Sequence, residues 1–184
     1  MNTNKKVKVA YINVMSGFGG GEIVLQRIIK KLNKNKFYVQ VYSVKTKFIE
    51  TLDCPECEIF IIDEEYQLKK QRNIKALFKI IRLFLKSGIF VFKMKKDKTD
   101  IIHSNTLVSN IYFSFWAKLF RIKFVAHSHE IKEGLLFRIL HKYIGFCSDK
   151  IICVSEAVKE NWVKHGVSPK KLEVIYNGVD DDFF

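Results

Sequence analysis

Val7 to Val14 is almost uniformly apolar and runs directly into Met15-Ser16-Gly17-Phe18-Gly19-Gly20-Gly21, after which Val24, Ile28 and Leu32 recur at helical spacing. A strand with so little alternation suits burial on both faces, which requires a sheet covered by helices on each side. Lys30 and Lys31 fall near the end of the predicted helix, where cations complement its dipole. Strand, glycine loop and helix in that order open a doubly wound α/β fold.

The rest of the chain repeats the alternation. Phe37 to Val44 and Ile59 to Ile62 read as strands. Asn73 to Lys86 reads as a helix with Leu77, Ile80, Ile81 and Phe84 inward and Lys75, Lys79, Arg82 and Lys86 outward. Ser87-Gly88 breaks or kinks it, and Ile89 to Lys98 forms a second, short and very basic piece. Asp100 to Ser104 is a fourth strand, followed by a helix from Thr106 to Phe120 with Ile111, Phe115, Ala117 and Leu119 available for packing. Lys123 to His127, Lys150 to Val154 and Lys171 to Tyr176 complete the strands. A helix over Glu133 to Tyr143 and another capped by Ser155, carrying Val158, Trp162 and Val163 and stopped by Gly166, lie between them. The pattern predicts a Rossmann-like, doubly wound parallel sheet of about seven strands with right-handed crossovers.

At 184 residues and 48% hydrophobic the chain supports one core, and a single domain over residues 1–184 is expected. Its most apolar region, Ile74 to Met94, is interrupted by Lys75, Lys79, Arg82, Lys86 and Lys93, so no membrane span is expected. The first residues lack the apolar region and cleavage site of a secretory signal, which places the expected location in the cytoplasm. Of Cys54, Cys57, Cys147 and Cys153 only the first two have ligand spacing, and no second pair completes a metal site, so reduced structural thiols are expected. The net charge of +13 fits a nucleic acid, an anionic membrane or a polyanionic substrate, or a biased composition. Lysines scattered over several helices without a reading motif argue against nucleic acid.

Chemistry gathers at the carboxyl ends of the predicted strands, where open α/β sheets bind ligands. The first delivers Gly19, Gly20, Gly21 and Glu22; the fourth Ser104, Asn105 and Thr106; the fifth His127, Ser128, His129 and Glu130; the sixth Ser155; the seventh Asn177 and Gly178. Small, hydroxyl, amide and imidazole groups converging on one edge suit a hydroxyl-rich ligand. The glycine loop is not a Walker A motif, since no Gly-Lys-Ser/Thr follows, and it departs from the dinucleotide fingerprint where Glu22 stands. What it offers is backbone N–H groups near a helix N-terminus, able to approach a phosphate or sugar. His129, further past the strand end than His127 and followed by Glu130, is the expected cleft-facing imidazole. His103 is expected against a neighbouring helix, His141 on a helix surface and His165 near a helix C-terminus, all structural.

Ile151 to Lys159 followed by Lys171 to Asp180 resembles the end of the N-terminal domain of glycosyltransferase family four. The Gly19 to Glu22 loop, Asp100 to Ser104 and Ala126 to Glu130 fit the same family in order and spacing. The resemblance implies the N-terminal, acceptor-side half of a GT-B fold. Such an enzyme retains anomeric configuration, needs no metal or other cofactor and takes a nucleotide-sugar donor as substrate. It implies that Gly20 and Gly21 approach the donor diphosphate and that His129 contacts the donor sugar, as a neutral hydrogen-bond donor near the reacting centre. Ser155 and Asn177 would line the cleft or hold its wall. The family's donor-binding C-terminal domain does not follow Asp180 here, so the chain alone is expected to be inactive, as a fragment or as half of an enzyme completed by another chain. The acceptor expected from the resemblance is a glycan or lipid-linked sugar of bacterial surface polysaccharide synthesis. The basic, aromatic stretch Arg72 to Lys98 is the expected contact with an anionic membrane. A non-catalytic sugar- or nucleotide-binding or assembly module is the competing reading.

Overall fold

A computed structural model describes residues 5–15, 17–62 and 74–178, the side chains of 74–77 excepted. Arg72, Asn73, Val179, Asp180 and the side chains of Lys75 and Leu77 therefore lie outside the described residues. The apolar runs form a seven-stranded, wholly parallel sheet in the order β3-β2-β1-β4-β5-β6-β7. The strands are β1 (Val7–Asn13), β2 (Phe37–Val44), β3 (Glu58–Ile62), β4 (Ile101–Ser104), β5 (Lys123–Ser128), β6 (Lys150–Cys153) and β7 (Leu172–Val174). The helices are α1 (Gly20–Lys31), the short α2 (Lys47–Glu50), α3 (Ile74–Lys96), α4 (Leu107–Leu119), α5 (Leu135–Cys147) and α6 (Glu156–Lys164).

Strand alternation divides the core in two. Ala10, Ile12, Ile102, Phe124, Ala126 and Ile151 pack with α3 to α6 on one face, while Val9, Tyr11, Val39 and Val41 pack with α1 and α2 on the other. On α1 the buried residues are Glu22, Leu25 and Ile29, one position round from the expected Val24 and Ile28. The strand order reverses between β1 and β4, so the loops after these two strands diverge and leave a crevice between them.

α3 departs most from expectation. It runs unbroken through Ser87-Gly88, and the buried residues among those described are Leu83, Ser87, Gly88, Val91 and Met94, while Ile80 and Ile81 are exposed. The reason lies in the neighbouring helix. A Cβ on Gly88 would sit 2.8 Å from Trp116 Cε2, so glycine here permits a close helix crossing. Ser87 Oγ donates to Tyr112 O at 2.8 Å, and Trp116 Nε1 donates to Phe84 O at 2.7 Å. On α4 the buried side chains include Tyr112, Phe113 and Ala117, whereas Phe115 and Leu119 are exposed.

Cys54 and Cys57 are joined by a disulfide, contrary to the expected reduced pair. A tight turn, closed by Cys57 N–H donating to Cys54 O at 3.0 Å, brings their Cα atoms to 5.4 Å, within bridging distance. Cys147 and Cys153 are free and buried.

Candidate functional site

The crevice at the β1–β4 switch point is a cleft of about 480 Å³. Its walls come from the glycine loop (Gly19, Gly20, Gly21, Glu22), the start of α4 (Asn105, Thr106) and the end of β5 (His127, Ser128, His129, Glu130). Three of the five predicted strand ends therefore converge.

Each wall has a local cause. Gly19 precedes α1 in extended conformation, and its N–H donates to the Glu22 carboxylate at 3.0 Å, so an acidic side chain satisfies an otherwise orphaned donor and complements the helix dipole. Thr106 caps α4 by accepting from Ser109 N–H at 3.2 Å. Ser104 is fully buried beneath this cap, donating to Ser109 Oγ at 2.7 Å, and does not line the cleft.

The three histidines at the sheet edge form a continuous row. Parallel register sets His103 beside Tyr11 on β1, with ring centroids 5.1 Å apart, on the sheet face covered by α1, where it shares a cavity wall with Val24, Arg27 and Ile28 of that helix, as expected. His103 Nε2 lies 3.3 Å from His127 Nδ1, and the His127 ring stands 4.1 Å from that of His129. Both His127 and His129 line the cleft, so the choice between them dissolves. Burial lowers the His103 pKa to about 4 and that of His127 to about 2, the neighbouring imidazoles adding to the effect. Burial also lowers that of His129, against the opposing pull of Glu130. His129 Nε2 lies 3.0 Å from Asn105 Oδ1, and the imidazole covers Gly21, where an added Cβ would meet His129 Cδ2 at 3.4 Å. Glu130 is exposed and pairs with Lys132.

The two remaining ends do not join. Ser155 caps α6, accepting from Val158 N–H at 3.3 Å, and lines no part of the cleft. Asn177 and Gly178 line a second cavity of about 410 Å³ between α1 and strands β4 to β7, which His103 and His127 also line and where Arg27 donates to Gly178 O at 3.1 Å. They follow β7, the outermost strand, three positions from the switch point.

Sequence reasoning missed the inner wall, which includes Lys132, Phe137, His141 and Trp162. His141 is buried, contrary to its expected surface position: it stacks on Trp162 at 3.9 Å and 7° and meets His165 Nδ1 at 2.8 Å. Trp162 Nε1 donates to Ser128 Oγ at 2.9 Å, tying α6 to the end of β5. The only signal was the spacing of His141 from Ile144, which shares its helix face.

The sequence model of Glycosyltransferase Family 4 matches residues 18–183. An Escherichia coli protein, UDP-Gal:alpha-D-GlcNAc-diphosphoundecaprenol alpha-1,3-galactosyltransferase, is 23% identical over 194 residues, covering 100% of this chain and 48% of its own. A glycosyltransferase from Rickettsia africae superposes with a TM-score of 0.70 at 19% identity, over 97% of this chain and 45% of that one. Anabaena Alr3699/HepE in complex with UDP-glucose superposes at 0.65 with 17% identity, over 94% and 44% respectively. These structural likenesses establish the fold. The chain spans about half the length of the relatives it matches.

Proposed function

Because the chain belongs to glycosyltransferase family 4, we propose that it is the acceptor-side half of a retaining, metal-independent enzyme that moves a sugar from a nucleotide-sugar to a glycan or lipid-linked acceptor. The observation that carries this reading is the arrangement of Gly21, Asn105 and His129 around one cleft at the switch point of the sheet. A neutral imidazole lying over a glycine loop beside a helix N-terminus suits a ligand that joins a sugar to a diphosphate. The backbone at Gly20 and Gly21 approaches the diphosphate, and His129 contacts the donor sugar. The acceptor enters along the inner wall of Lys132, Phe137 and Trp162. The E. coli relative, whose name specifies a UDP-galactose donor and a diphosphoundecaprenol-linked acceptor, supports a bacterial surface polysaccharide pathway at the inner face of the membrane. The donor nucleotide is held mainly by a second GT-B domain, from the same gene or another chain.

Among the described residues no helix is long and apolar enough to cross a membrane. The exposed apolar surface supports contact with an anionic bilayer and widens it beyond the stretch ending at Lys98. Phe78, Leu85, Ile89 and Phe92 on α3 are joined by Leu119 on α4 and by Leu135, Leu136, Ile139 and Phe146 on α5. Lys96 lies over the Phe92 ring and Lys118 over that of Phe146, which places cations beside apolar anchors. Co-sedimentation with anionic vesicles at low salt tests this contact, and loss of binding in Leu135→Ser/Leu136→Ser is the expected outcome.

Transfer of labelled sugar from UDP-galactose or UDP-glucose to a polyprenyl-diphosphate-linked sugar tests the main reading. The chain joined to or mixed with a second GT-B domain is expected to turn over, and the chain alone is not. Turnover by the chain alone overturns the half-enzyme reading. Failure of the completed form to bind nucleotide-sugar overturns the transferase reading.

A further inference from the structure

Among the described residues Asn105 touches the β1 end, the glycine loop and His129 together. It is buried at 1% exposure, with its backbone N–H donating to Ile12 O at 2.9 Å. Its Nδ2 faces two oxygens, Gly21 O at 3.2 Å and Asn13 Oδ1 at 3.4 Å. Turning the amide over would set Oδ1 against Gly21 O, a backbone carbonyl that can only accept, and lose that contact, so the carbonyl fixes its orientation. Oδ1 is thereby directed to His129 Nε2, 3.0 Å away. An amide oxygen only accepts, and a neutral imidazole carries one proton, so that proton sits on Nε2 and Nδ1 keeps a lone pair.

We propose that Asn105 is a positioning residue that locks His129 in the Nε2–H tautomer, so that the nitrogen left for substrate is a hydrogen-bond acceptor. No described protein group engages Nδ1. Burial favours the neutral ring, the state in which this lock operates. The consequence, which rests on the transferase reading, reverses the expected role of His129: it accepts from a sugar hydroxyl and does not donate to a phosphate or to the developing charge. The same lock couples the imidazole to the glycine loop, because the Asn105 amide that accepts from His129 donates to Gly21 O.

Histidine-selective ¹⁵N labelling and long-range ¹H–¹⁵N correlation of the intact chain at pH 7.5 test the proposal, with His129 assigned by its loss in His129→Gln. Wild type is expected to show a protonated Nε2 and an unprotonated Nδ1. Asn105→Ala is expected to give a mixed or exchanging tautomer, while unchanged His141 and His165 signals show that the fold is intact. Asn105→Asp, which retains an oxygen acceptor, is expected to restore the Nε2–H form and raise the His129 pKa. A protonated Nδ1 in wild type, or the same single tautomer in a folded Asn105→Ala, overturns the proposal. If Asn105→Ala does not fold, the wild-type tautomer and the pKa in Asn105→Asp still decide it. UDP-glucose is then added to the labelled chain completed by a second GT-B domain, to separate the two layers. A shift of the His129 Nδ1 signal supports the acceptor role, whereas an expected tautomer with no response to UDP-glucose overturns the transferase reading and leaves the lock supported.

Discussion

Two histidine clusters flank the cleft at the sheet's carboxyl edge, and they differ in what surrounds the imidazoles. His103, His127 and His129 form a row whose last ring lies beside the cleft under Asn105. His141 and His165 are packed between α5 and α6, with Trp162 stacked against the first and Glu133 3.8 Å from the second. Burial holds His141 near a pKa of about 4, much as it does His103. The inner pair is joined by its two Nδ1 atoms and stacked on Trp162, whereas the outer row ends in a ring whose Nδ1 has no described protein partner. Low pKa alone therefore does not distinguish a working histidine from a structural one.

Breaking the inner cluster has the largest expected effect. Trp162→Ala removes a fully buried ring, the stack on His141 and the bond to Ser128, and is expected to cost about 3–5 kcal/mol of stability, read from denaturant midpoints. A gentler disturbance is Gly145→Ala, whose methyl would lie 2.8 Å from Val167 Cγ1 where α5 meets the turn after His165. A loss of about 1–3 kcal/mol is expected, with changed His141 and His165 resonances and an unchanged His129 tautomer.

Acid strains both clusters. Because the folded His103 pKa lies below its unfolded value of 6.5, its contribution is fully present above pH 6.5 and is lost as pH falls toward about 4. Lowering the pH from 7 to 5 is expected to cost about 2 kcal/mol through His103. Denaturant midpoints measured against pH in His103→Gln, which cannot titrate, should show a correspondingly shallower slope. The smallest expected stability effect is at the cleft. In Gly21→Ala the new methyl makes ordinary contact with His129, so stability should stay within about 0.5 kcal/mol. Nucleotide-sugar affinity of the completed enzyme, measured by calorimetry, is expected to fall about tenfold, since a Cβ blocks close approach to the loop.

Several features were legible because short-range physics decides them. Unbroken apolar strands, the glycine loop and alternation with helices determine a parallel sheet, and the switch-point rule then brings Gly19 to Glu22, Asn105 and His127 to Glu130 to one cleft. Ser155 as a cap and Gly166, at φ +86°, after the end of α6 were likewise local matters. The choice of inward face was not local. α3 has apolar residues on most of its circumference, and only the close approach of Trp116 at Gly88 selects Leu83, Val91 and Met94 over Ile80 and Ile81. The burial of His141 depended on a flat ring and a second imidazole arriving from a helix two elements later. Asn177 and Gly178 share the polar character of the site residues, yet the sheet order carries them to a neighbouring cavity that meets the cleft at His127. The sequence by itself determined which groups stand at strand ends, because strand, loop and helix are set by neighbouring residues. Only the tertiary structure decided which of them meet and which nitrogen of His129 is left free, because strand order and cross-strand hydrogen bonds join residues far apart in the chain.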